Sequence, residues 1–234
     1  MRAWEEAVPA FDREVYEKGG LGIARAFGQR PALLIIDVVE SWTGSKPQNV
    51  LDAIEEYRTA CGDSAWVALP KIKELLEACR AAGIPVVYTH GDPDEKSIVG
   101  DSTKRAKDPG ETRRIHSAGI PDIIAPGAGE FVLAKPKASA FFGTPLPTYL
   151  TQLGVDCLLV AGTSTSGCVQ ASVTDGQSYG YKMFVVDECV FDRSEFLHNA
   201  YLFNLNAKYA DVISLEQALE HVRCYAGEHA MVRA

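Results

Sequence analysis

The chain has 234 residues, 47% of them apolar and 23% charged, with a formal net charge of −8 at pH 7. That length and composition suit one globular α/β domain with a full core. The acidic balance lacks the basic block that pairs with phosphates, and no apolar run reaches the roughly 18 residues that span a bilayer, so nucleic-acid and membrane partners are excluded as expectations.

Residues 1–29 form an N-terminal arm, too acidic and polar at its start for an export signal. A cytoplasmic protein is expected. Six short apolar runs then read as strands: 32–37, 84–90, 130–135, 156–162, 182–188 and 210–214. Most are continuously apolar rather than alternating, as in a parallel sheet covered on both faces. Helical patterns separate them. In 64–82, Ile72, Leu75, Leu76 and Cys79 recur at i, i+3, i+4, i+7, and Gly83 stops the helix. Thr144 and Pro145 open a helix over 144–153. A third runs from Cys168 to Tyr179, "DRSE" at 192–195 resembles a capping box before a fourth, and Ser214 starts a fifth.

Strand then helix, repeated, predicts a three-layer α/β/α domain on a parallel sheet, with the whole of 1–234 in one domain. Two insertions, 41–63 and 91–129, are long enough to be lids, site walls or subunit contacts.

The six cysteines show no C-x-x-C pair and read as reduced thiols. The five histidines have no metal-ligand spacing, so neither metal nor cofactor is expected. "AGTSTSG" carries Gly162 and Gly167 but neither phosphate-loop signature, which makes a nucleotide site weak.

Ligands of open parallel sheets bind beyond the carboxyl ends of the strands. There the sequence puts Asp37 after the first strand, Lys135 at the end of the third, and Cys168 in the loop after the fourth. Each has a plain alternative: a turn residue, a solvated charge, a small buried hydrophobe. Together they form a chemical set. A helix N-terminus and a cation favour the thiolate, and a carboxylate can take the thiol proton.

"LLIID", "LAKPKASAFFGTPL" and "GTSTSGCVQASVTDGQSYGYKMFVVDECVFDR", in that order, resemble the cysteine hydrolases of the isochorismatase-like superfamily, and among them the carbamoylsarcosine and maleamate amidases. The resemblance implies a six-stranded parallel sheet and a homo-oligomer, dimer or tetramer. It makes Asp37 the general base, Lys135 the catalytic lysine and Cys168 the nucleophile. It implies a cis peptide at Thr163–Ser164, an oxyanion hole from the N–H groups of Ser164 and Cys168, and a substrate carboxylate held by Arg193. Without it, Arg193 reads as a helix-cap neighbour of Asp192 or Glu195. The metal motif of the family's nicotinamidases, Asp-x-His, does not occur in "YTHGDPDEKS", where His90 and Asp92 stand.

The implied activity is cleavage of the C–N bond of a small carboxylate-bearing amide or ureide, with ammonia released through a thioester or thiocarbamate. Maleamate- or nicotinamide-type amidases are the near alternatives. A thiol redox protein with Cys189 as resolving cysteine, and a non-catalytic binding member of the same fold, are the alternatives from other classes.

Overall fold

The computed structural model describes residues 2–91, 104 and 119–233. After the short helices α1 (Ala3–Glu6) and α2 (Ala10–Lys18) comes β1 (Pro31–Ile36). The 41–63 insertion is not open loop: it carries α3 (Glu40–Thr43) and α4 (Val50–Glu56), the latter capped by the Asn49 side chain. It folds back on itself, with the Cys61 N–H donating to the Trp42 carbonyl at 2.9 Å. Then follow α5 (Asp63–Ala81), β2 (Val86–Gly91), a 3₁₀ turn (Asp122–Ile124) and β3 (Phe131–Lys135). Most of the 91–129 insertion lies outside the described residues.

The second half runs α6 (Leu146–Gln152), β4 (Cys157–Thr163), a π-helical turn (Thr165–Val169), α7 (Gln170–Ser178), β5 (Lys182–Phe191), α8 (Glu195–Lys208), β6 (Asp211–Ile213) and α9 (Leu215–Arg233). The six strands form one parallel sheet in the order β3-β2-β1-β4-β5-β6. Strand order reverses between β1 and β4, so their carboxyl ends make the crevice where a doubly wound sheet binds ligands.

β1 shows why its run is unbroken. Leu33 and Ile35 enter the core beneath α5 and α9, while Ala32, Leu34 and Ile36 enter the core on the opposite face. Alternate side chains point to opposite faces, so a strand covered twice must be apolar at every position.

Three boundaries depart from the sequence pattern. β5 runs on to Phe191 because its register against β4 shifts: Val160 pairs with Val185, but Gly162 with Val190. α8 is capped by Ser194, whose hydroxyl accepts from the Leu197 N–H at 3.3 Å, and not by Asp192, whose carboxylate is used elsewhere. The helix expected from Cys168 begins earlier, as a π turn in which the Val169 N–H reaches back five residues to the Ser164 carbonyl at 3.1 Å.

Candidate active site

Asp37, the first residue past β1, stands in the left-handed region at φ 54°. Asp is among the few non-glycine residues that visit it, and strained positions of this kind gather at functional sites. The Asp37 N–H donates to the Thr89 carbonyl at 3.0 Å, and the Thr89 hydroxyl donates to Asp37 Oδ1 at 2.8 Å. Lys135, at the end of edge strand β3, reaches across β2 and places Nζ 2.8 Å from Asp37 Oδ2. The same ammonium donates to the Lys137 carbonyl at 3.1 Å and to Cys168 Sγ at 3.4 Å. One ammonium thus joins the three residues that the sequence places at separate strand ends.

The loop carrying Cys168 is shaped by close backbone approaches. Gly162 has φ 112°, and a Cβ there would lie 2.0 Å from the Ile36 carbonyl oxygen. A Cβ on Gly167 would lie 2.5 Å from Ser164 Oγ. The Thr163–Ser164 peptide is cis. The Ser164 carbonyl accepts from the N–H groups of Gly167 (2.9 Å) and Val169 (3.1 Å). Ser172 braces the turn from behind: its hydroxyl donates to the Cys168 carbonyl at 2.7 Å and accepts the Ala140 N–H at 2.9 Å. That contact explains why "SAFFGT" and "SGCV" matter together.

Burial pushes the Cys168 thiol up to about 12; the neighbouring Asp37 carboxylate adds to the rise and Lys135 opposes it. A buried anion beside a carboxylate costs more than one cation returns, so burial and Asp37 together favour the protonated thiol, in keeping with a carboxylate placed to take its proton. For Lys135, burial pulls downward, but Asp37 and Cys168 outweigh it and hold the amine above its usual range, as the ammonium.

Cys61, Cys79, Cys157 and Cys189 are buried, and Cys224 is exposed. Cys189 belongs to the core on one face of the sheet and Cys168 packs on the other, which separates the pair a redox reading requires. His90 has Nδ1 3.1 Å from the Gly91 carbonyl oxygen, and Asp92 lies outside the described residues. Among the described residues no three His, Cys, Asp or Glu side chains gather as metal ligands, and no helix is long and apolar enough to cross a membrane.

Arg193 does not touch the three. Its guanidinium lies 5.1 Å from the Trp42 ring centroid and donates to the carbonyls of Thr59 (3.0 Å) and Arg58 (3.4 Å), all on the 41–63 insertion. It faces a cavity of about 820 Å³ between the starts of α5 and α8, whose lining does not include Asp37, Lys135 or Cys168.

Thr89, Asp192 and His198 escaped the sequence reading. Asp192 accepts from the Ser166 N–H (2.8 Å) and hydroxyl (2.7 Å), and His198 Nδ1 is 2.8 Å from Thr165 Oγ1. Thr89 alone left a trace, a hydroxyl inside the apolar run "VVYTH" at a strand's carboxyl end.

Residues 31–217 match the model of the isochorismatase domain. The chain belongs to the isochorismatase family. The isochorismatase-family chain is 36% identical to a maleamate amidohydrolase of Pseudomonas putida, over 92% of its own length and 97% of the relative's. It is 32% identical to an N-carbamoylsarcosine amidase of Arthrobacter, over 93% and 80% of the two chains. A cysteine hydrolase structure from Pseudomonas syringae pv. phaseolicola superposes with a TM-score of 0.73 at 18% identity, covering 88% of this chain and 98% of that one, which supports the fold.

Proposed function

We propose that this isochorismatase-family protein is a cysteine-dependent amidohydrolase that cleaves the C–N bond of a small carboxylate-bearing amide or ureide and releases ammonia. The observation that carries the reading is the buried Lys135 ammonium, within 2.8 Å of the Asp37 carboxylate and 3.4 Å of the Cys168 sulfur. A thiol kept protonated at rest needs a base at the moment of attack, and Asp37 is that base. The two relatives described above are named as a maleamate amidohydrolase and an N-carbamoylsarcosine amidase, which supports the enzyme class.

Asp37 takes the Cys168 proton as sulfur bonds to the carbonyl carbon, and the ammonium of Lys135 offsets the charge passing between them. The N–H groups of Ser164 and Cys168 hold the oxyanion; the loop bonds to the Ser164 carbonyl are donated by Gly167 and Val169 instead. As the C–N bond breaks, Asp37 returns the proton to the departing nitrogen and ammonia leaves. The acyl or carbamoyl group stays on sulfur. Water then gives a proton to Asp37 and its oxygen to the carbonyl carbon, the C–S bond breaks, and the thiol is restored. Arg193 holds the substrate carboxylate. No step draws on a metal or cofactor.

N-carbamoylsarcosine and maleamate both fit this chemistry, each joining an amide or ureide nitrogen to a carboxylate. We read the protein as a homo-oligomer in a cytoplasmic setting, as the family resemblance implies.

Ammonia release from N-carbamoylsarcosine, maleamate and nicotinamide tests the reading. Turnover of a carboxylate-bearing substrate, lost in Cys168→Ala and Cys168→Ser with unchanged circular dichroism, is expected. Activity retained in Cys168→Ala overturns it, and silence across a broad amide and ureide panel favours a binding role instead.

A further inference from the structure

Asp192 is a carboxylate 6% exposed at the end of β5, outside the mechanism above. A buried carboxylate is costly unless its oxygens are bonded, and an ionised one can only accept. Here its donors are the nucleophile turn and the backbone of its own chain neighbour. Oδ2 accepts both the N–H and the hydroxyl of Ser166, at 2.8 and 2.7 Å, inside the turn two residues before Cys168. Oδ1 accepts the N–H of Arg193 at 2.8 Å. Its own carbonyl accepts the Ser64 hydroxyl at 2.8 Å, which anchors the segment to α5. The ordinary duty of such a residue, capping the helix that follows, is performed by Ser194. From α8, His198 Nδ1 meets the Thr165 hydroxyl at 2.8 Å, so the neighbouring residue of the same turn is held from the same side.

We propose that Asp192 is a positioning residue that fixes the nucleophile turn and the Arg193 backbone in one register, so that a substrate carboxylate bound at Arg193 delivers its carbonyl to Cys168. The proposal rests on the amidohydrolase reading. One carboxylate bonded to the nucleophile turn and to the Arg193 backbone ties those two segments together, and small misplacements of a reacting group are expensive in rate. Asparagine cannot replace it. Its amide oxygen can serve Ser166 or Arg193, but its NH₂ then opposes an N–H donor at the other position.

The test compares the full-length parent with Asp192→Asn and Ser166→Ala. Steady-state constants are measured for the carboxylate substrate that the parent turns over best and for a neutral amide, per folded enzyme. Iodoacetamide alkylation of Cys168 is followed by peptide mass. In Asp192→Asn, kcat should fall about tenfold or more for both substrates, KM should rise for the carboxylate substrate and hold for the neutral one, and Cys168 alkylation should slow at least threefold. Ser166→Ala keeps the N–H arm and loses the hydroxyl arm. It should lose about threefold in kcat with KM unchanged, and it decides the matter if Asp192→Asn does not fold. Constants and alkylation rates within twofold of the parent in the folded variants, with only the folded fraction reduced, make Asp192 structural and overturn the proposal. If the parent itself releases no ammonia, the amidohydrolase reading fails, while the alkylation rates still decide whether Asp192 holds the turn.

Discussion

Lys135 Nζ lies 2.8 Å from Asp37 Oδ2, and the two residues are 2% and 3% exposed. A buried ion pair is poor insurance for stability, since desolvation consumes most of what attraction returns, yet breaking it by removing one partner strands a charge at a cost of about 3–5 kcal/mol. In the proposed function the pair serves to move a proton, with the Cys168 sulfur 3.4 Å from the same ammonium.

Asp37→Asn and Lys135→Ala should each reduce kcat by roughly three orders of magnitude or more, and the double variant should fall little further, because groups that act as a unit lose their effect together. Stability should follow the same logic with a different sign. Each single change leaves an unpaired buried charge, whereas Asp37→Asn with Lys135→Met leaves none and should recover much of the loss. Urea denaturation and ammonia-release rates measure both. Losses that simply add in free energy mean that the residues do not cooperate.

Alkali should unfold the protein progressively. Burial pushes Cys61, Cys79, Cys157 and Cys168 from 9.0 up to about 12. A raised thiol keeps its proton in the folded state after the unfolded chain has released it. The stability it contributes is complete below about pH 9 and is lost as pH climbs toward 12. Each such thiol adds about 1.4 kcal/mol of destabilisation per pH unit in that window. Removing one should flatten the curve by one proton, and Cys79→Ala is the clean choice because Cys79 lies in the core, outside the site. Unfolding free energies from pH 8 to 11 in the two proteins make the comparison. Equal slopes refute it.

The sheet and its order of elements were legible because a strand buried on both faces must be apolar throughout, and that mark survives in a single sequence. Asp37, Lys135 and Cys168 were legible as polar residues where apolar runs stop. Their meeting was not: Lys135 crosses the whole width of β2, and no local pattern records such a reach. Asp192 was misread for a related reason. Its place in "DRSE" suggests a helix cap, but Ser194 caps α8 while a turn 26 residues upstream takes the carboxylate. The π turn at Thr165–Val169 was invisible because its extra residue leaves the helical pattern after Gln170 intact.

Activity should survive exhaustive dialysis against EDTA. The proposed chemistry needs only Asp37, Lys135, Cys168 and backbone N–H groups, and "YTHGDPDEKS" lacks the Asp-x-His pattern. Loss of turnover on chelation, restored by zinc or iron, would bring His90 and Asp92 back as ligands.

Arg193 should select the substrate's carboxylate. A guanidinium offers five N–H groups in a rigid fork that fits a carboxylate with two parallel bonds. Bonds to the carbonyls of Arg58 and Thr59 use part of that capacity and, with the Trp42 ring 5.1 Å away, hold the fork in place. The 41–63 insertion should therefore act on specificity through Arg193. Arg193→Ala should lower kcat/KM for a carboxylate-bearing amide by roughly two orders of magnitude, the expected loss of a paired, charge-assisted contact. Arg193→Lys should also be impaired, since a point charge cannot make the paired bonds. Trp42→Ala should do less harm, because the fork survives and loses one support. A neutral amide of the same size should be nearly indifferent to all three changes. If it suffers by the same factor as the carboxylate substrate, Arg193 braces the insertion rather than the substrate, and the anionic end of the substrate must be sought elsewhere in the site.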